Sequence, residues 1–197
     1  MADSAAEAEP TPEPAQEPLP ARGRWFGVAL MVAMAAVLVL NVAWVVRNFS
    51  LLRTMGPGKQ APAFELETLN GDKIRLADLK GRVVLIDFWS VTCPPCLETL
   101  PKLNKIVDKF ADAPVSVLAI HTQGGRRWRM AARVETRPMK LKFPVLMDTR
   151  RGKVSESYTV RVLPTTVLVG RDGTIKKVWR GSTSVDDMID EIRSALK

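Results

Sequence analysis

From Trp25 to Val46 the chain runs for 22 residues without a charge, and Asn41 is the one strongly polar side chain in that stretch. A helix of this length spans about 33 Å at about 1.5 Å per residue, enough for a bilayer core of about 30 Å. Trp25 and Trp44 stand near its two ends, where indole rings favour a membrane interface. The run exceeds the roughly 7–15 apolar residues of a signal peptide and no small-x-small cleavage site follows, so an uncleaved anchor over 25–46 is expected. Beyond it, Gly56, Pro57, Gly58 and Pro62 break any period, which predicts a linker over 47–61. Then the rhythm changes to alternation. Phe64, Leu66, Ile74 and Leu76 fall on one side of two short runs around Asn70-Gly71, predicting a β-hairpin. "RVVLIDFW" (82–89) and "VSVLAIHT" (115–122) are continuous apolar runs of strand length and predict buried strands. "TTVLVG" (165–170) and "TIKKVWRG" (174–181) predict two more, joined by a turn at Arg171-Asp172-Gly173.

Helical spacing appears in two places. Leu97, Leu100, Leu103, Val107 and Phe110 form one stripe, with Pro101 placed to bend or break it. Val185, Met188, Ile189, Ile192 and Leu196 form the other, with Ser184 as N-cap, acids in the first turn and Arg193 and Lys197 near the end. Between residues 123 and 164 an irregular helical stretch is expected. The order of elements, with no internal repeat, predicts an α/β domain with a mixed central sheet and helices on both faces.

Charge adds a second picture. Of 29 basic and 21 acidic side chains, residues 1–24 hold two and five, so the remainder carries a net charge of +11. The first 24 residues, with prolines at 10, 12, 14, 18 and 20, lack the apolar side chains to build a core and are expected to be a disordered tail. Arg22 and Arg24 on one side of the anchor and Arg47 and Arg53 on the other leave its orientation open. Seven basic residues and one acid lie in 124–143, a solvated helix by default, with docking to anionic lipid or an acidic partner as the sharper alternative. No finger spacing, RRM signature or Gly-rich RNA loop is present, so nucleic acid is not an expected partner.

The only two cysteines, Cys93 and Cys96, stand in "DFWSVTCPPCLETLP". With His121 as the only histidine, a four-ligand structural zinc site cannot be assembled from this chain, and Leu97 after the second cysteine rules out c-type haem attachment. Closing so short a loop removes little chain entropy, so a structural staple is unattractive. Redox exchange remains. A strand, a short loop and then a helix put Cys93 at a helix N-terminus, where unpaired N–H groups favour a thiolate and lower the thiol pKa from about 8.5 toward roughly 3.5–7. Pro94 suits the first helical position, and Cys96, one turn further, is placed to attack a mixed disulfide at Cys93.

From about Pro62 to Lys197 the chain resembles the thioredoxin superfamily, and within it the membrane-anchored TlpA/ResA branch, through "LKGRVVLIDFWSVTCPPCLETLP" and "YTVRVLPTTVLVGRDGTIKKVWRG". The resemblance implies a thioredoxin-like fold over 62–197, with an added N-terminal β-hairpin and a central helical insertion, preceded by one transmembrane helix. It implies Cys93 as the exposed nucleophile and Cys96 as the buried resolving thiol. Pro164 becomes a cis-proline that brings Leu163, Pro164 and Thr165 beside Cys93 to hold an extended substrate, with Trp89, Pro94 and Pro95 forming the wall. Asp87 occupies the place of a buried acid that shuttles a proton to or from Cys96. His121, at a strand end, is expected to be structural. Two departures stand out: Thr92 replaces the usual Trp before the first cysteine, and Thr99 stands where the branch carries Glu, with Glu98 one position early.

The function so implied is membrane-anchored thiol–disulfide exchange outside the cytoplasm, with no cofactor beyond the Cys93–Cys96 disulfide. Its partners would be protein disulfides or dithiols, apocytochromes c among them, and an upstream membrane or soluble thiol donor, while residues 25–46 meet the lipid. The branch mostly reduces its partners; the residues themselves do not decide the direction. Two rivals are a peroxiredoxin-like peroxidase, which wants Pro and Thr where Ile86 and Ser90 stand, and a thioredoxin-like binding module without turnover.

Overall fold

A computed structural model describes residues 22–48 and 56–197, so most of the predicted acidic tail and residues 49–55 of the predicted linker lie outside the described residues. Two compact units are distinguished, residues 1–53 and 54–197. In the first, a single helix, α1 (Arg22–Asn48), carries the apolar run, and its span Trp25–Val45 is long and apolar enough to cross a membrane. Asn41 Nδ2 donates to the Val37 carbonyl at 2.8 Å, so the one polar side chain of that run is satisfied within its own helix.

The second unit is a seven-stranded mixed sheet in the order β2-β1-β5-β4-β3-β6-β7. Its strands are β1 (Glu65–Thr68), β2 (Lys73–Arg75), β3 (Val83–Trp89), β4 (Val115–His121), β5 (Val145–Met147), β6 (Thr165–Val169) and β7 (Ile175–Arg180). β3, β4 and β5 run parallel in one register, which aligns their C-terminal residues Trp89, His121 and Met147. β6 pairs antiparallel with β3 and β7 with β6, while the β1–β2 hairpin pairs antiparallel with β5.

β3 is buried at all seven positions, as an apolar strand sandwiched between two layers must be. Alternation along it divides the core. Val83, Leu85 and Trp89 face Cys96, Leu100 and Leu103, and with them Ala132 of α4 (Arg126–Thr136) and Met188, Ile189 and Ile192 of α6 (Val185–Leu196). Val84, Ile86 and Phe88 face Val154 and Tyr158 at α5 (Lys153–Ser157) together with Phe64 and Leu66. The fold is thioredoxin-like, with helices on both faces.

Pro101 breaks the helix after the cysteines, as expected: α2 (Pro94–Thr99) passes through a 3-10 turn (Leu100–Leu103) into α3 (Asn104–Lys109). The stretch 123–164 differs from a purely irregular helical region. It contains β5, only three residues long and held by β1 and β4 on its two sides, and the five-residue α5.

Candidate active site

β3 delivers Trp89 to the end of the sheet, and a three-residue loop leads to Cys93, the N-cap of α2. Pro94 and Pro95 take the first two helical positions, where no intrahelical N–H is required. The loop is tied down by backbone: Cys93 N–H donates to the Ser90 carbonyl at 3.1 Å, and the Cys93 carbonyl accepts from Cys96 and Leu97 N–H at 3.0 and 3.2 Å. Cys93 and Cys96 are joined as a disulfide. Cys93 is 9 % exposed and Cys96 0 %, so the outer sulfur is the more accessible one, though far less open than the resemblance implies.

The segment 163–165 joins the apolar cluster that holds this pair. The Leu163–Pro164 peptide is cis, Leu163 packs on the same apolar cluster as both cysteines, and Thr165 opens β6 opposite Phe88. The Pro164 carbonyl accepts from Gly181 N–H at 2.8 Å, and Thr165 Oγ1 donates to the Val162 carbonyl at 2.6 Å.

Asp87 is fully buried on β3, on the same face as Leu85 and Trp89. Thr166 Oγ1 donates to its Oδ1 at 2.8 Å across the β3–β6 pairing, and Oδ2 has no partner. Burial pushes its carboxyl up to about 7, the Thr166 hydrogen bond opposing that shift. The indole Nε1 of Trp89 is likewise buried without a partner.

A network unseen in the sequence holds the loop from behind. His121, buried at the end of β4, stands edge-on to Trp89 with ring centroids 5.0 Å apart. Its Nε2 accepts from the Val91 N–H at 3.2 Å, so in the neutral ring Nδ1 carries the proton and donates to the Gln123 carbonyl at 2.8 Å. Burial lowers the His121 pKa and keeps that neutral form. Ser90 Oγ donates to Gln123 Oε1 at 3.1 Å and lies 3.0 Å from Thr92 Oγ1. Thr92 thus fills the place of the usual Trp as a polar member of this loop. Thr99 Oγ1 donates to the Pro95 carbonyl at 2.8 Å and is consumed inside α2. The only sequence signal for His121 was its position at the end of a buried strand.

Among the described residues no group of His, Cys, Asp and Glu is arranged to hold a metal ion. A disulfide at the head of a helix, faced by a cis-proline segment over a mixed sheet, defines a thioredoxin-like thiol–disulfide oxidoreductase. The chain belongs to the AhpC/TSA family, whose model matches residues 57–178. It is similar to the thiol-disulfide oxidoreductase ResA of Bacillus subtilis, 31 % identical over 163 residues that make up 82 % of this chain and 88 % of that one. The thioredoxin-like protein YneN of the same organism is 33 % identical over 131 residues, 66 % of this chain and 75 % of that one. Among solved structures, a putative thiol:disulfide interchange protein DsbE from Chlorobium tepidum matches with a TM-score of 0.66 at 27 % identity, covering 73 % of this chain and 99 % of its own.

Proposed function

We propose that this oxidoreductase is a membrane-tethered reductant of protein disulfides working outside the cytoplasm. The observation that carries it is the asymmetry of the sulfur pair, Cys93 slightly exposed at the head of its helix and Cys96 fully enclosed, over an apolar cluster that also holds Leu163 of the cis-proline segment. The Cys93 thiolate attacks a sulfur of the partner's disulfide; a Cys93–partner bond forms and the partner's other sulfur leaves as a thiolate. The Cys96 thiolate then attacks Cys93, the second partner sulfur leaves, and the Cys93–Cys96 disulfide closes. Two electrons pass to the partner, and an upstream thiol donor returns them, so no cofactor enters.

Each step uses a feature of the site. The N-cap position of Cys93 favours its thiolate. Asp87, with a carboxyl near 7, takes the Cys96 proton as that thiol becomes the attacking group. Leu163, Pro164 and Thr165 offer backbone to an extended partner segment, with Trp89, Pro94 and Pro95 as the wall beside it. α1 supplies the tether, and a protein thiol system that forms disulfides suits an oxidising compartment. Partner disulfides of the apocytochrome c kind fit this chemistry, and so do others.

Replacing Cys96 by Ser removes the second step. The variant is expected to accumulate mixed disulfides through Cys93, visible on non-reducing gels and absent from a Cys93→Ser variant. Partner binding without any covalent species would instead favour a non-catalytic module, and peroxide consumption exceeding disulfide reduction would favour a peroxidase.

A further inference from the structure

The parallel strands β3, β4 and β5 end in one line at Trp89, His121 and Met147, and β6 begins opposite Phe88. The connections 90–93, 122–125, 148–152, 158–164 and 181–184 therefore share one end of the sheet. The first three touch one another in turn. Thr122 N–H donates to the Trp89 carbonyl at 3.0 Å and Asp148 N–H to the His121 carbonyl at 3.0 Å. Gly124 lies so close to the third connection that a Cβ there would come within 2.1 Å of the Asp148 carbonyl oxygen.

This end of the molecule is basic. Arg126 and Arg127 open α4 directly after the second connection, Arg150 and Arg151 lie in the third, and Arg161 lies in the fourth, two residues before Leu163. All five are exposed, and none forms an ion pair among the described residues. Arg127 lies over the Trp128 ring at 5.5 Å. These connections contain one carboxylate, Asp148, and it is turned inward. It accepts from Thr149, Val154 and Ser155 N–H and from Ser155 Oγ at 2.6, 3.1, 2.8 and 2.5 Å. Glu98 on α2, Glu156 on α5 and Asp186 and Asp187 in the first turn of α6 are the exposed acids next along the chain. Val162, 51 % exposed, sets an apolar side chain between Arg161 and the cis-proline segment.

Resting on the exchange function proposed above, we infer that this fringe selects its partners: the protein disulfides this domain exchanges with are flanked by acidic residues. An anionic membrane surface is the other possible counterpart of five arginines. Their place beside the disulfide argues for the protein. The chain enters the domain at the opposite end of the sheet, where Gly58 N–H donates to the Ile175 carbonyl, Ala61 N–H to the Gly173 carbonyl, and Gln60 bridges Thr174. The arginines thus sit at the disulfide's end of the sheet, where a molecule approaching the disulfide meets them. Charges so placed raise encounter rates with oppositely charged partners and lose that effect as salt screens them.

The test uses the reduced full-length protein in nanodiscs of neutral lipid. Its substrates are three peptides, each with one cysteine capped as a methyl disulfide and flanked by Glu, Gln or Lys. At low salt the Glu peptide is expected to be reduced about tenfold faster than the Lys peptide, the ratio falling toward one at about 1 M salt. Arg126→Glu, Arg127→Glu and Arg161→Glu together should bring the ratio below one. The ratio is taken within each protein, and the single Arg161→Glu change on an exposed connection serves if the triple variant does not fold. Equal low-salt rates for Glu and Lys peptides, or a ratio unmoved by charge reversal, would overturn the inference alone. Loss of all three rates would overturn the exchange reading and the inference with it. A wild-type ratio that collapses to one only in anionic nanodiscs, with the domain held on their surface, would assign the arginines to lipid and overturn it too.

Discussion

Two aspartates are buried at this end of the sheet, and they are served very differently. Asp148 meets four donors, three of them backbone N–H groups, one from the neighbouring Thr149 and two at the start of α5. Asp87 meets one hydroxyl and leaves an oxygen bare. Burial is nearly the same, 3 % and 0 % exposed. The difference teaches that burial alone does not decide what a carboxylate does. Where donors fill the lone pairs, the group organises a loop; where they do not, burial raises the carboxyl pKa and the group is poised to take up a proton.

The comparison breaks most visibly at Asp148. Asp148→Ala leaves the Thr149, Val154 and Ser155 N–H groups without their acceptor and is expected to cost about 5 kcal/mol in chemical unfolding, since each unsatisfied buried donor costs roughly 1–3 kcal/mol. A cost below about 1 kcal/mol would show that water replaces the carboxylate freely.

Asp87 is expected to act through pH. Its carboxyl titrates near 3.8 in the unfolded chain and about 7 in the fold, so it binds more protons when folded. Its contribution to stability is therefore full below about 4 and is lost as pH rises toward 7, a change of about 4 kcal/mol over about three pH units. His121 opposes it. Its lowered folded pKa means that the unfolded chain binds the extra proton, so its contribution is present above about 6.5 and falls as pH drops. Asp87→Asn should remove the first limb and leave a stability that only declines on acidification; the variant should also slow the Cys96 step. Unfolding curves of wild type and variant that superimpose from pH 4 to pH 8 would contradict this.

His121→Leu removes the acceptor of the Val91 N–H and is expected to cost about 2 kcal/mol. Because Val91 lies in the cystine loop, hydrogen exchange at residues 90–93 should rise more than elsewhere in the sheet; uniform protection would leave His121 with a packing role alone. Smallest is Thr166→Val, about 1 kcal/mol. It deletes the one hydrogen bond to Asp87 and should move the carboxyl still higher, read as an upward shift in the pH dependence of Asp87 by infrared spectroscopy of its carboxyl band. A downward shift would mean that Thr166 does not serve the charged form.

Much of this was legible in the residues. β3 announced itself as a continuous apolar run, Pro101 fell at the junction between α2 and the following turn, and "VLPTT" carried the cis-proline. β5 did not show, because three residues have no measurable period and its place is set by partners β1 and β4. Neither did the service of His121 to Val91, which lies 30 residues earlier and meets it only through the parallel register of β3 and β4. That Asp87 would be buried followed from Ile86 and Phe88 beside it. That it would keep one oxygen bare did not, because it depends on which side chains β6 turns toward it.

The enclosure of Cys96 gives the cystine a front and a back. Reagents and proteins alike meet the Cys93 sulfur first, so native labelling of the reduced chain should add one bulky tag, and unfolding should admit the second. Every covalent encounter then enters through a single door, and the inner sulfur has no task except to close it.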